Sequence, residues 1–167
     1  METPASGDSV AAQVSLRTVD WDEVEQIVEG HEGKVVVLDI WTTTCIRCVE
    51  EFPHFLKLQE EFGRSELVCI SVNCDYDGIR AKPLEHYRPL VLDFLARQPV
   101  HVENVMLNVA LLDFLDQIDL ASTPAILVYD RQGKLAKRFD NGGVTSQQDE
   151  FTMDQVTKLI DELLASS

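Results

Sequence analysis

Two of the four cysteines in this 167-residue chain stand three positions apart, in Trp41-Thr42-Thr43-Thr44-Cys45-Ile46-Arg47-Cys48. The preceding run Lys34–Trp41 (KVVVLDIW) is apolar and β-branched, the pattern of a strand buried on both faces. The residues from Cys45 to Phe62 carry Val49, Phe52, Phe55, Leu56 and Phe62 as a helical apolar stripe. The pair therefore falls at a strand-to-helix junction. Residues i and i+3 of a helix lie one above the other, with a Cα separation of roughly 5–6 Å, which suits a disulfide. Cys45 would take the helix N-terminus, where unpaired N–H groups and the positive end of the dipole stabilise a thiolate. The thiolate is the nucleophile of disulfide exchange, so Cys45 is expected to attack and Cys48, one turn deeper, to resolve the mixed disulfide. Arg47 between them adds positive charge that should favour the thiolate. A chance pair in a core helix is the competing explanation, and the position at a strand-to-helix turn argues against it.

The other two cysteines differ. Cys69 lies inside the apolar strand Leu67–Asn73 (LVCISVN) and Cys74 directly follows it. Five extended steps separate them by roughly 16 Å, too far to bridge, so both read as buried or half-buried free thiols. CxxC followed twenty residues later by Cys-x4-Cys approaches a zinc-ribbon spacing. The residues between read as a long helix and a strand, not as knuckle turns, so no metal is expected. His31, His54, His86 and His101 are scattered, and His54 reads as a surface residue. No phosphate loop, dinucleotide fingerprint or Ser-His-Asp order is present, and dithiol chemistry requires no bound cofactor.

The elements that would position the dithiol follow from local pattern. Val14–Arg17 reads as an edge strand. Asp20 reads as the N-cap of a helix to about Val28, with Asp22 and Glu23 in its first turn. Pro53 lies inside the helix after Cys45 and should kink it; Gly63 should close it. Between Cys74 and Gln98 the pattern is weaker. Pro83 and Pro89 each suit a helix start and neither suits a helix middle, which places a helix at about Pro89–Arg97. A short strand at Val102–Leu107 and a helix near Val109–Gln117 follow. Ala125–Tyr129 and Lys134–Asp140 flank the turn Asp130–Gly133 as a hairpin. Met153–Ala165 is amphipathic, with Met153, Val156, Leu159, Ile160, Leu163 and Leu164 on one face. The β-α-β-α-β-β-α alternation predicts an α/β fold with a central mixed sheet, residues 14–167 forming one domain. Met1–Gln13 are small and polar, without the positive and apolar regions of a secretory signal, and are expected to be mobile.

Composition narrows the partners. Hydrophobic residues are 45% and charged residues 26%, with 14 basic against 29 acidic residues and a net charge of −15. No Lys/Arg cluster supplies the basic face that a nucleic acid needs. The charge also disfavours an anionic membrane surface, and no apolar run reaches the roughly 18–20 residues of a membrane span.

Three stretches, VVVLDIWTTTCIRCVEEFP at Val35–Pro53, LVCISVN, and STPAILVYDRQGKL at Ser122–Leu135, resemble the thioredoxin superfamily and within it the TlpA/ResA-type thiol-disulfide oxidoreductases. The resemblance runs from Lys34 to the C-terminal helix. It implies a thioredoxin fold with a central insertion at about residues 75–118, and catalysis by Cys45 as nucleophile and Cys48 as resolving thiol. Pro124 would be a cis-proline facing the disulfide, presenting the backbone of Thr123 to substrate. Trp41, beside the dithiol, joins Thr123 and Pro124 in the substrate-facing set. Asp39 corresponds to a buried acid that accepts the proton of the resolving thiol, and its burial should raise its pKa. Glu51 matches a Glu of an E-x-P motif with a share in the same proton traffic. The implied partners are protein substrates with disulfides or dithiols and a redox donor protein, the implied state is monomeric, and the implied location is outside the cytoplasm. Thr44 replaces the usual aromatic residue before the first cysteine, and Ile46-Arg47 replaces a dipeptide that usually contains Pro. Redox direction is therefore open.

Two other readings remain. Thr42-x-x-Cys45 resembles the Thr-x-x-Cys of thiol peroxidases of the peroxiredoxin type, although Leu38 stands where their Pro is expected. A non-catalytic thioredoxin-like binding module with incidental cysteines is the other.

Overall fold

A computed structural model describes residues 14–166. The expected mobile segment Met1–Gln13 lies outside the described residues. Six strands form one sheet: β1 (Arg17–Val19), β2 (Val35–Trp41), β3 (Leu67–Asn73), β4 (Glu103–Leu107), β5 (Ala125–Tyr129) and β6 (Leu135–Asp140). Their order is β1-β4-β3-β2-β5-β6. β1, β4, β3 and β2 run parallel, β5 is antiparallel to β2, and β6 returns beside β5. The helices are α1 (Trp21–Glu29), α2 (Ile46–Phe62), α3 (Leu84–Ala96), α4 (Leu111–Gln117) and α5 (Met153–Ala165), with a 3₁₀ turn at Gln147–Asp149.

Strand alternation sorts the core into two layers. Val36, Leu38 and Ile40 of β2 meet α1 and α4 through Val24, Val28 and Phe114. Val35, Val37 and Trp41 point to the other face, against Phe52 and Phe55 of α2, Val91 of α3 and Val156 and Ile160 of α5. Asp39 falls in the register of that second set. Every residue of β2 is buried, Asp39 included, as its otherwise apolar run requires of a strand with helices on both sides.

Local chemistry sets most element ends. Asp20 and Glu23 form a reciprocal capping box on α1, and Thr152 and Gln155 do the same on α5. Gly63, at φ 75°, closes α2 in a conformation that Cβ would disfavour. β1 begins at Arg17, where pairing with Val105 of β4 starts, so the edge strand lies further along than the sequence pattern indicated. α3 differs more. It starts at Leu84, with Pro83 as N-cap, and runs through Pro89. Tyr87, Val91 and Leu95, four apart, bury one stripe on the core, and this packing outweighs the backbone bond that Pro89 forgoes.

Gln59 explains how the first half of β3 is satisfied. Pairing with β4 begins at Ile70, which leaves the outer edge of Leu67–Cys69 without a strand. Gln59 of α2, buried at 3% exposure, fills the gap: its Nε2 donates to the Leu67 carbonyl at 2.7 Å and its Oε1 accepts the Cys69 N–H at 2.9 Å. The side-chain amide thus replaces a neighbouring strand.

Candidate active site

Parallel strands place their C-terminal ends on one edge of the sheet. The segment after β2, the segment after β3 and the start of the antiparallel β5 all meet there. Cys45 is the N-cap residue of α2, and it is bridged to Cys48 with a Cα–Cα separation of 5.2 Å. The Cys48 N–H donates to Cys45 Sγ at 3.1 Å. A sulfur that caps a helix sits where the dipole and orphan N–H groups favour a negative charge, so the same geometry stabilises a Cys45 thiolate once the bridge is reduced. Cys45 is half-buried and Cys48 is 1% exposed. The outer sulfur is the accessible one.

The loop carrying the cysteines is held from β3. Thr43 N–H donates to Asp75 Oδ1 at 2.7 Å and the Thr43 hydroxyl donates to Asp75 Oδ2. Asn73 clamps the same carboxylate: its Nδ2 donates to Asp75 Oδ1 at 3.0 Å and its Oδ1 accepts the Asp75 N–H at 2.9 Å. The Cys74 N–H donates to the Trp41 carbonyl at 2.9 Å. Neither Asn73 nor Asp75 was a sequence-level candidate. The available signal was a polar residue ending a buried strand and a second one two positions on.

Asp39, Arg47, Glu51 and Pro124 line one small crevice, with Asn141 and Phe151. Asp39 is 3% exposed. Burial, reinforced by the nearby Glu51 carboxylate, pushes its pKa from 3.8 up to about 8. Glu51 is partly exposed and contacts His54 Nδ1 at 3.2 Å. The Thr123–Pro124 peptide is cis, with Thr123 half-buried and Pro124 buried. Trp41 is elsewhere. It is 0% exposed and packs on Phe52 and Phe94, with ring centroids at 4.8 and 4.9 Å. Period-two alternation turns its indole under α2, so it leaves no surface for a substrate and supports the dithiol helix from below.

Arg47 also differs from its expected part. Its guanidinium forms an ion pair with Glu150 at 2.5 Å, so its charge is already committed. Cys69 and Cys74 are free and buried, and burial pushes both thiols up, away from reactivity.

No protein-family model matches the chain. The thiol-disulfide oxidoreductase ResA of Halalkalibacterium halodurans is 26% identical over 150 residues, covering 87% of this chain and 74% of that relative. A thiol-disulfide isomerase from Corynebacterium glutamicum superposes with a TM-score of 0.65 at 17% identity, over 83% of this chain and 86% of the other. The exposed lipoprotein thioredoxin of Streptococcus pneumoniae does so with a TM-score of 0.58 at 19% identity, over 81% and 90%. The chain carries a bridged CxxC capping the first helix after β2 and a cis Thr123–Pro124 peptide, and it is similar to thioredoxin-like thiol-disulfide oxidoreductases, ResA among them.

Proposed function

We propose that the protein exchanges its Cys45–Cys48 dithiol and disulfide with protein substrates. The observation that carries this reading is the bridged pair with its outer sulfur capping α2. In the reducing direction the Cys45 thiolate attacks one sulfur of a substrate disulfide, and the other leaves as a thiolate that takes a proton from water. A mixed disulfide now joins Cys45 to substrate. The Cys48 thiol gives its proton to the ionised form of Asp39, whose pKa of about 8 makes it a well-matched base once deprotonated, and attacks Cys45 Sγ, expelling the second substrate thiolate. Two electrons have passed to the substrate and the Cys45–Cys48 bridge has formed. The reverse sequence oxidises a substrate dithiol. Thr123 and Pro124 receive the substrate segment, and Glu51 relays the Asp39 proton toward solvent.

Residues 14–167 act as one thioredoxin-like unit, with residues 75–118 as an insertion. The protein works as a monomer beside a redox donor protein. Its place is outside the cytoplasm, a reading supported by the lipoprotein among its structural neighbours. No helix among the described residues is long and apolar enough to cross a membrane.

Insulin reduction with dithiothreitol as donor tests the reading. Wild type should accelerate precipitation of the reduced chains, and Cys45→Ser should not. Equal rates for the two would refute exchange at this site.

A further inference from the structure

Arg47 is the cation inside the CxxC turn, and the structure shows where its charge goes. Its Nη2 lies 2.5 Å from Glu150 Oε1, with the two side chains 39% and 21% exposed. Arg47 Nε and Glu150 Oε1 are both buried without a hydrogen-bond partner, so the contact is an ion pair held by charge, through the outer edge of the guanidinium. Glu150 is far along the chain yet firmly placed. It ends the 3₁₀ turn Gln147–Asp149, itself capped by Ser146. The next residue, Phe151, donates its N–H to Asn141 Oδ1 at 3.0 Å and packs on Phe139 at 5.9 Å. Thr152 then caps α5. A fixed carboxylate is thereby delivered to the dithiol turn from the C-terminal part of the chain.

The consequence is electrostatic. A free guanidinium two residues after Cys45 and directly before Cys48 favours the Cys45 thiolate, and a thiolate-stabilising site makes the disulfide more oxidising. A paired guanidinium is close to neutral from outside. The acids around the crevice, Asp39 and Glu51, add no positive charge. We infer that Glu150 sets the redox poise of the Cys45–Cys48 pair by engaging Arg47, holding the protein toward the reducing end of its range. This rests on the exchange reading above and deepens it: Glu150 is a positioning residue that acts through Arg47 and touches neither substrate nor sulfur.

The test compares wild type, Glu150→Gln, Arg47→Ala and the double variant. Titrating iodoacetamide alkylation of the reduced proteins against pH reads the Cys45 thiol directly, with no substrate. Glutathione equilibration reads the redox constant. Glu150→Gln should lower the Cys45 pKa by about one unit and shift the glutathione equilibrium about tenfold toward stronger oxidant, which is about 30 mV. In the Arg47→Ala background the same change should yield less than a third of either shift. Equal shifts in both backgrounds would mean Glu150 acts by its own charge and would overturn the inference, as would no shift at all. Far-UV circular dichroism on each variant excludes a folding artefact. Wild-type insulin reduction is scored separately. If that activity is absent, the exchange reading fails while the alkylation result still decides the role of Glu150.

Discussion

The carboxylate of Asp75 grips Thr43 twice, accepting its N–H at 2.7 Å and its hydroxyl. Thr43 lies two residues before the outer cysteine, and Asp75 lies two residues after β3. One side chain thus fixes the turn between β2 and α2 to the neighbouring strand.

Asp75→Ala leaves the Thr43 N–H and the Asn73 amide without their acceptor. Stranding such groups costs about 1–3 kcal/mol. Urea unfolding should show that loss, and the Cys45 alkylation rate in the folded protein should change with it. Asp75→Asn, which keeps one acceptor oxygen, should recover part of both. Wild-type stability in Asp75→Ala would show that the clamp has no grip.

Cys48→Ser should trap the mixed disulfide, because the resolving sulfur is missing while the capping sulfur of Cys45 remains. Mass spectrometry after incubation with a disulfide peptide should find one peptide per chain on Cys45. Cys45→Ser should carry none. An adduct on Cys48 in that variant would assign the roles the other way round.

Asp39 holds its proton to about pH 8 when folded, against 3.8 for an ordinary aspartate. The folded state therefore binds more protons than the unfolded state across that window. Its contribution to stability is full below about pH 4, falls as pH rises toward 8 and is flat beyond. Asp39→Asn should erase this slope in denaturation curves taken from pH 4 to 9. The variant should also lengthen the life of the mixed disulfide by about 10²-fold, the usual share of a general base, with little effect on the first attack. Parallel stability curves, or an unchanged lifetime, would remove Asp39 from the proton path.

Gln59→Leu should destabilise the fold by about 1–3 kcal/mol. It leaves the Leu67 carbonyl and the Cys69 N–H buried without partners. Hydrogen exchange at Cys69 should accelerate by more than at Val37, on the neighbouring strand. Equal protection would show that water or strand pairing already serves that edge.

Cys69 and Cys74 are buried with thiols pushed up by desolvation. In the native reduced protein, iodoacetamide should label Cys45 first and reach these two only after unfolding. Native labelling of Cys69 at a comparable rate would contradict its burial.

Much of this protein is legible in one dimension. Short-range rules suffice for the dithiol: three residues of spacing, a β-branched run before it and a helical stripe after it. They also place β3, β5 and α5 at their observed residues, because apolar period, turn glycines and capping pairs are local signals. Asp39 and Pro124 come from family resemblance, and the structure brings both to the same crevice.

Tertiary structure decided what depends on groups distant in sequence. α3 runs through Pro89 because Tyr87, Val91 and Leu95 find a core to bury in, which no local propensity encodes. Gln59 looks like any polar helix residue until an unpaired strand edge stands opposite. Trp41 faces inward by strand alternation under a helix whose position only the packed sheet defines. The charge of Arg47, which local sequence assigns to the thiolate, is taken by Glu150 from the far end of the chain. Coulomb attraction acts through space, and only the fold determines which charges share it.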